Sequence, residues 1–110
     1  MLPKKNGNKT VRTVLLVGGL GRNEDLYRAC AKSLDIDLLY YENRIPAGIP
    51  PMGLSVVLVV VPLCSHPIRE YAVKLAAAYE LPIYYLRTAS ISAVRSALEK
   101  IDADRDSVRP

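Results

Sequence analysis

A glycine turn in this chain has the makings of an anion site. Gly18, Gly19 and Gly21 offer backbone amides free of side chains, and Arg22 behind them adds a forked cation, a combination that can surround a phosphate or carboxylate. The turn departs from a dinucleotide fingerprint, which would place glycine where this chain has Glu24, and no lysine follows in the manner of a Walker loop. Glu42, just past the second apolar run, stands about where an acid that holds ribose hydroxyls would stand. The alternative for the glycines is purely structural: a tight turn and close helix packing.

A second cluster packs Cys64, Ser65 and His66 into consecutive positions after the most apolar segment. A helix N-terminus there would favour a thiolate and disfavour an imidazolium. The spacing from Cys64 to Arg69 is one residue short of a phosphatase-like loop, and His66 with Pro67 would crowd an oxyanion cradle, so cysteine catalysis is not expected. His66 is the only histidine, and any imidazole chemistry or ligation has to use it. With Cys64 it supplies two ligands, where zinc takes about three or four from protein. A haem, or a site shared across a dimer, needs fewer. The structural alternative is a neutral His66 hydrogen-bonded near the start of a helix.

The elements that would position these residues follow from apolar periodicity. Thr13 to Val17 is a short apolar run that meets the glycines as a buried strand meets a helix. Asn23 is placed to cap that helix, Glu24 and Asp25 suit its first turn, and Leu26, Cys30 and Leu34 recur on one face. Asp35 to Tyr41 holds a second run. Glu42 to Gly53, with Pro46, Pro50 and Pro51, is predicted to be a loop, long enough for a crossover without its usual helix. Ser55 to Val61 is a β-branched central strand ended by Pro62. Ser65 is expected to cap a helix with Pro67 in its first turn and Ile68, Tyr71, Ala72, Leu75 and Tyr79 inward. Pro82 to Leu86 reads as an edge strand that begins with its proline. Ser90 is expected to cap a last helix with Ile91, Val94, Leu98 and Ile101 inward, fraying after Asp102.

Strands alternating with helices imply right-handed crossovers. The fold class expected is α/β, a small Rossmann-like or flavodoxin-like three-layer sandwich on a four-stranded parallel sheet of order 2-1-3-4. That order brings the Gly18 to Asn23 and Leu63 to Pro67 loops side by side, with Arg87 at the rim. The domain is expected to span residues 13–102, between a basic flexible tail over 1–12 and a polar tail over 103–110.

The 110 residues suffice for one core, and 50% hydrophobic with 24% charged residues is ordinary globular usage. The two cysteines show no framework spacing, which points to a reducing, cytoplasmic setting. The longest apolar run is far below the about 20 residues of a membrane span. The net charge of +4 sits partly in the leading basic segment without an aromatic-interleaved stripe, so neither nucleic acid nor membrane is an expected partner. Seven tyrosines with no phenylalanine or tryptophan put Tyr40 with Tyr41 and Tyr84 with Tyr85 on the two edge strands. One member of each pair should reach a helix layer, and an edge could serve a homodimer.

With these residues in place, the chain resembles a bacterial domain-of-unknown-function family of small α/β domains found alone or at the ends of larger proteins. The resemblance covers about Val14 to Leu98. It rests on the Val17-Gly18-Gly19 turn with Arg22, the Ser65-His66 pair after the third strand, Lys74 in the next helix, and Pro82 leading to Leu86, Arg87 and Ser90. In that family a His-Asp-Gly-Gly-like segment follows the second strand, and an aspartate often precedes the cysteine near the Ser-His pair. Here Tyr40, Tyr41, Glu42 and Asn43 take the first place and Leu63 the second, so a two-histidine site does not carry over. The expectation is a non-catalytic or regulatory module holding a small anionic ligand, a phosphate or nucleotide, at Gly18, Gly19, Gly21, Arg22, Glu42, Ser65, His66 and Arg87. The alternatives are a haem or metal protein using His66 and Cys64, and a homo-oligomeric scaffold.

Overall fold

The computed structural model describes residues 12–44 and 53–107. Four strands, β1 (Arg12–Gly18), β2 (Ile36–Tyr41), β3 (Leu54–Val60) and β4 (Ile83–Leu86), form one sheet in the order β2-β1-β3-β4. All three pairings are parallel. Three helices accompany them: α1 (Glu24–Lys32), α2 (His66–Ala78) and α3 (Ile91–Ser107). The order is the one the alternating pattern predicts, and α3 runs on to Ser107 where fraying was expected after Asp102.

Strand alternation assigns the layers. Val14 and Leu16 of β1 with Val56, Leu58 and Val60 of β3 face α1 and α3, while Leu15, Val17, Val57 and Val59 face α2. Val56 through Val60 are all buried, which is why this run carries no polar alternation. Each such side chain contributes roughly 1.5–3 kcal/mol of burial before entropy is counted. On β2 the Ile36, Leu38 and Tyr40 face is buried, whereas Asp37 on the other face is exposed and Leu39 and Tyr41 are half-buried. The crossover from β2 to β3 lies largely at residues 45–52, so the helix-free loop expected there falls mostly outside the described residues.

Two helix faces differ from the periodicity reading. In α1 the inward residues are Tyr27, Cys30 and Ala31, and Leu26 is 51% exposed. The face is set by the spacing 27, 30, 31, 34, one position later than Leu26 suggested, because the large Tyr27 ring fills the layer between α1 and α3. In α2 the inward residues are Ile68, Ala72, Leu75 and Ala76, whereas Tyr71 is half-buried and Tyr79 is exposed beyond the helix end. One member of each tyrosine pair is expected to reach a helix layer; instead Tyr40 and Tyr41 both do, on opposite faces of the sheet, and Tyr84 and Tyr85 are both exposed. Pro82 precedes β4, and its carbonyl accepts from Val57 N–H at 3.0 Å.

Of the three expected caps, one forms. Ser90 Oγ accepts from Ala93 N–H at 3.1 Å. Asn23 makes no cap bond, because a 3-10 turn over Gly21–Asn23 runs directly into α1 and leaves Asn23 out of the extended N-cap conformation. Ser65 has the extended backbone of a cap and no cap bond. Pro67, two residues on, lacks one of the two amides a cap hydroxyl would reach.

Candidate functional site

The loops after β1 and β3 meet. Gly19 N–H donates to the Leu63 carbonyl at 3.0 Å, and Ser65 N–H donates to Asn43 Oδ1 at 3.0 Å. Three loops, after β1, β2 and β3, are thereby joined at the carboxyl edge of the sheet. Gly18 makes the first contact possible. Its φ is +88°, and a Cβ there would lie 2.8 Å from the Leu63 carbonyl oxygen and 2.9 Å from that of Val60. Only glycine accepts both conditions.

The joint uses most of the amides an anion would need. Gly19 N–H is bonded to Leu63, Asn23 N–H donates to the Leu20 carbonyl at 2.9 Å, and Leu20 N–H donates to Tyr27 Oη at 3.3 Å. Tyr27 Oη in turn donates to the Ala89 carbonyl at 2.6 Å, tying the β1 turn to the start of α3. Tyr27 thus organises this edge, a role for which the spacing with Cys30 and Ala31 was the available signal.

The end of β2 is different. Tyr40 packs at a tilt of 58° against Tyr27 with ring centroids 5.5 Å apart, yet its buried hydroxyl has no hydrogen-bond partner among the described residues. Burial first, and then the nearby Glu42, Tyr27 and Glu24, push this hydroxyl far above its ordinary range, so it stays protonated. Glu42 Oε1 crowds the position a Cβ on Gly21 would take, and its Cδ lies 2.9 Å from it. Glu24 is held by Arg28, whose guanidinium reaches Oε2 at 2.8–2.9 Å and also donates to the Leu38 carbonyl at 2.7 Å. Glu24, Tyr40, Tyr41, Glu42, Asn43 and Arg44 line an open depression of about 600 Å³.

His66 and Cys64 are not poised for chemistry. His66 is exposed at the start of α2 and its Nε2 lies 3.3 Å from Glu70 one turn on. Burial raises the Cys64 thiol above its ordinary range and outweighs the lowering by Arg69, so a thiolate is not favoured there. Ser65 Oγ is buried without a partner among the described residues. Arg22, after β1, and Arg87, after β4, are exposed. Among the described residues no group of three or more His, Cys, Asp and Glu side chains is arranged to hold a metal. No helix among them is long and apolar enough to cross a membrane.

A parallel sheet whose order turns about β1 and β3, with the loops of those strands joined at that turn, defines a small α/β domain. The chain belongs to the family described as uncharacterized protein conserved in bacteria (DUF2325), which matches residues 13–101. Comparison with curated proteins and with solved structures finds no match.

Proposed function

We propose that the chain is a non-catalytic binding module that takes a small anionic ligand of the phosphate or nucleotide class at the carboxyl edge of β1 and β3. The observation that carries this reading is the Gly19 N–H to Leu63 bond, which joins the two loops at the point where parallel sheets of this order bind ligands. With the Gly19, Leu20 and Asn23 amides engaged internally, the anion falls chiefly to side chains. Arg22, Arg87 and His66 follow three successive strand ends, and their exposed cationic or hydrogen-bonding heads suit a phosphate. Gly18 and Gly19 then shape the floor, Gly21 leaves room for Glu42, and Ser65 marks the wall beside β3.

Thermal-shift titration with ribonucleoside monophosphates and inorganic phosphate tests this. A ligand at 100 times its dissociation constant stabilises the fold by about 2.7 kcal/mol, and Arg22→Ala should reduce that gain. Absence of any shift with every phosphate compound rejects the reading.

A second reading, self-association, is favoured by β4. This edge strand exposes both Tyr84 and Tyr85, and they line a groove of about 450 Å³ with Ala97 and Ile101 of α3. Sedimentation of the protein beside Tyr85→Lys distinguishes it: a dimer that the lysine dissolves supports this reading, and a monomer at all concentrations removes it.

A further inference from the structure

We propose that two copies of the chain join β4 to β4 in antiparallel fashion, in the register that sets Tyr84 opposite Tyr84, with Glu80 of each copy paired to Arg87 of the other. The inference rests on the self-association reading above and assigns its geometry and its charged contacts. The two edges of the sheet differ. On β2, Asp37 is exposed and the Leu38 carbonyl already accepts from Arg28 at 2.7 Å, features that keep an edge from pairing. β4 consists of Ile83, Tyr84, Tyr85 and Leu86, carries no charge, and pairs with β3 alone. Pro82 does not blunt this edge. Its carbonyl accepts from Val57 N–H, so residue 82 turns its backbone polar groups toward β3, and by alternation Tyr84 does the same. The N–H and C=O groups of Ile83 and Tyr85 therefore point outward, where a further strand can take them.

The register follows from that alternation. Outward-facing residues must oppose one another, and setting Ile83 of each copy against Tyr85 of the other satisfies every outward group of both strands. Centring the pair on Ile83 or on Tyr85 would instead leave one of these residues opposite Leu81 or Arg87, outside the strand. With Tyr84 at the centre, Arg87 of one copy falls opposite Leu81 of the other, beside Glu80. Glu80 and Arg87 are both exposed, and neither side chain makes a hydrogen bond or ion pair among the described residues. Glu80 also occupies the left-handed position after α2, at φ +56°, where glycine is favoured; its N–H donates to the Ala77 carbonyl and Leu81 N–H to that of Ala76. A glutamate there carries backbone strain, and an ion pair across the edge gives its carboxylate a use. Two-fold symmetry forms that pair twice. Tyr84 of the second copy comes against the groove lined by Tyr84, Ala93, Ala97 and Ile101. Arg87 follows the outermost strand, and its use here leaves Arg22 and His66 to the anion.

Sedimentation equilibrium of the full chain and of charge-reversal variants tests the inference. The unaltered chain should dimerise. Glu80→Arg and Arg87→Glu, each checked by its melting curve, should raise the dissociation constant about 10-fold, and the two together should restore it. Tyr84→Cys should become a covalent dimer on mild oxidation, since the register places the two Cα atoms about 4.5 Å apart, within disulfide reach, whereas Arg87→Cys should not. If the chain dimerises but charge reversal has no effect, or Tyr84→Cys fails to cross-link, this geometry is overturned and self-association stands. A monomer at every concentration overturns both.

Discussion

At the joint between β1 and β3, Gly19 N–H, Leu20 N–H, the Leu63 carbonyl and the Ala89 carbonyl are all paired within the protein. One strand away, at the end of β2, the Tyr40 hydroxyl and the Glu42 carboxylate are paired with nothing among the described residues. The two regions share an edge, and their tyrosines touch. The first fixes the fold, because two loops distant in sequence are bonded there. The second leaves a buried hydroxyl and a carboxylate without internal partners among the described residues, so it holds the fold less tightly. The glycines and the tyrosines of the edge divide along this line.

Alanine at two glycines separates the regions most strongly. Gly18→Ala would add a Cβ against two backbone carbonyls at a positive φ, and a loss of about 3 kcal/mol or more is expected in denaturant unfolding. The next effect is at the start of α3, beside the carbonyl that Tyr27 holds. Ser90→Ala should lose about 1 kcal/mol, since Ser90 Oγ is the one cap that forms. Smallest is Gly21→Ala, where the clash is with the far end of the Glu42 side chain, which can swing away. Stability should stay within about 0.5 kcal/mol, the usual range for surface substitutions, while nucleotide affinity falls. A large loss of stability at Gly21 would erase the distinction between the two regions.

The architecture was legible because each strand had its own signal. The Val56 to Val60 run marked a doubly covered strand, and the glycines marked the first strand's end, which with right-handed crossovers leaves the observed order. The phase of α1 was less legible. Leu26 and Tyr27 are both apolar, and the choice between them depends on the space between α1 and α3, a tertiary quantity. Asn23 and Ser65 have cap-forming side chains, and their caps fail for backbone reasons, a preceding 3-10 turn and a proline. The position of Glu42 at the end of β2 was legible from its place after the second apolar run. Tyr40 was not, because composition gives a tyrosine the same reading whether or not its hydroxyl finds a partner.

The contrast between the hydrogen-bonded Tyr27 hydroxyl at the joint and the unpartnered Tyr40 hydroxyl at the end of β2 is tested most directly by thermal unfolding of Tyr27→Phe and Tyr40→Phe without ligand. Removing the Tyr27 hydroxyl leaves the Leu20 amide and the Ala89 carbonyl unpaired, and about 1–3 kcal/mol should be lost. Removing the Tyr40 hydroxyl takes away a buried group that bonds to nothing described, so the midpoint should hold or rise by roughly 4 °C, equivalent to about 1 kcal/mol. Opposite signs for the two phenylalanines are the predicted result; a fall at Tyr40 as large as that at Tyr27 would contradict it.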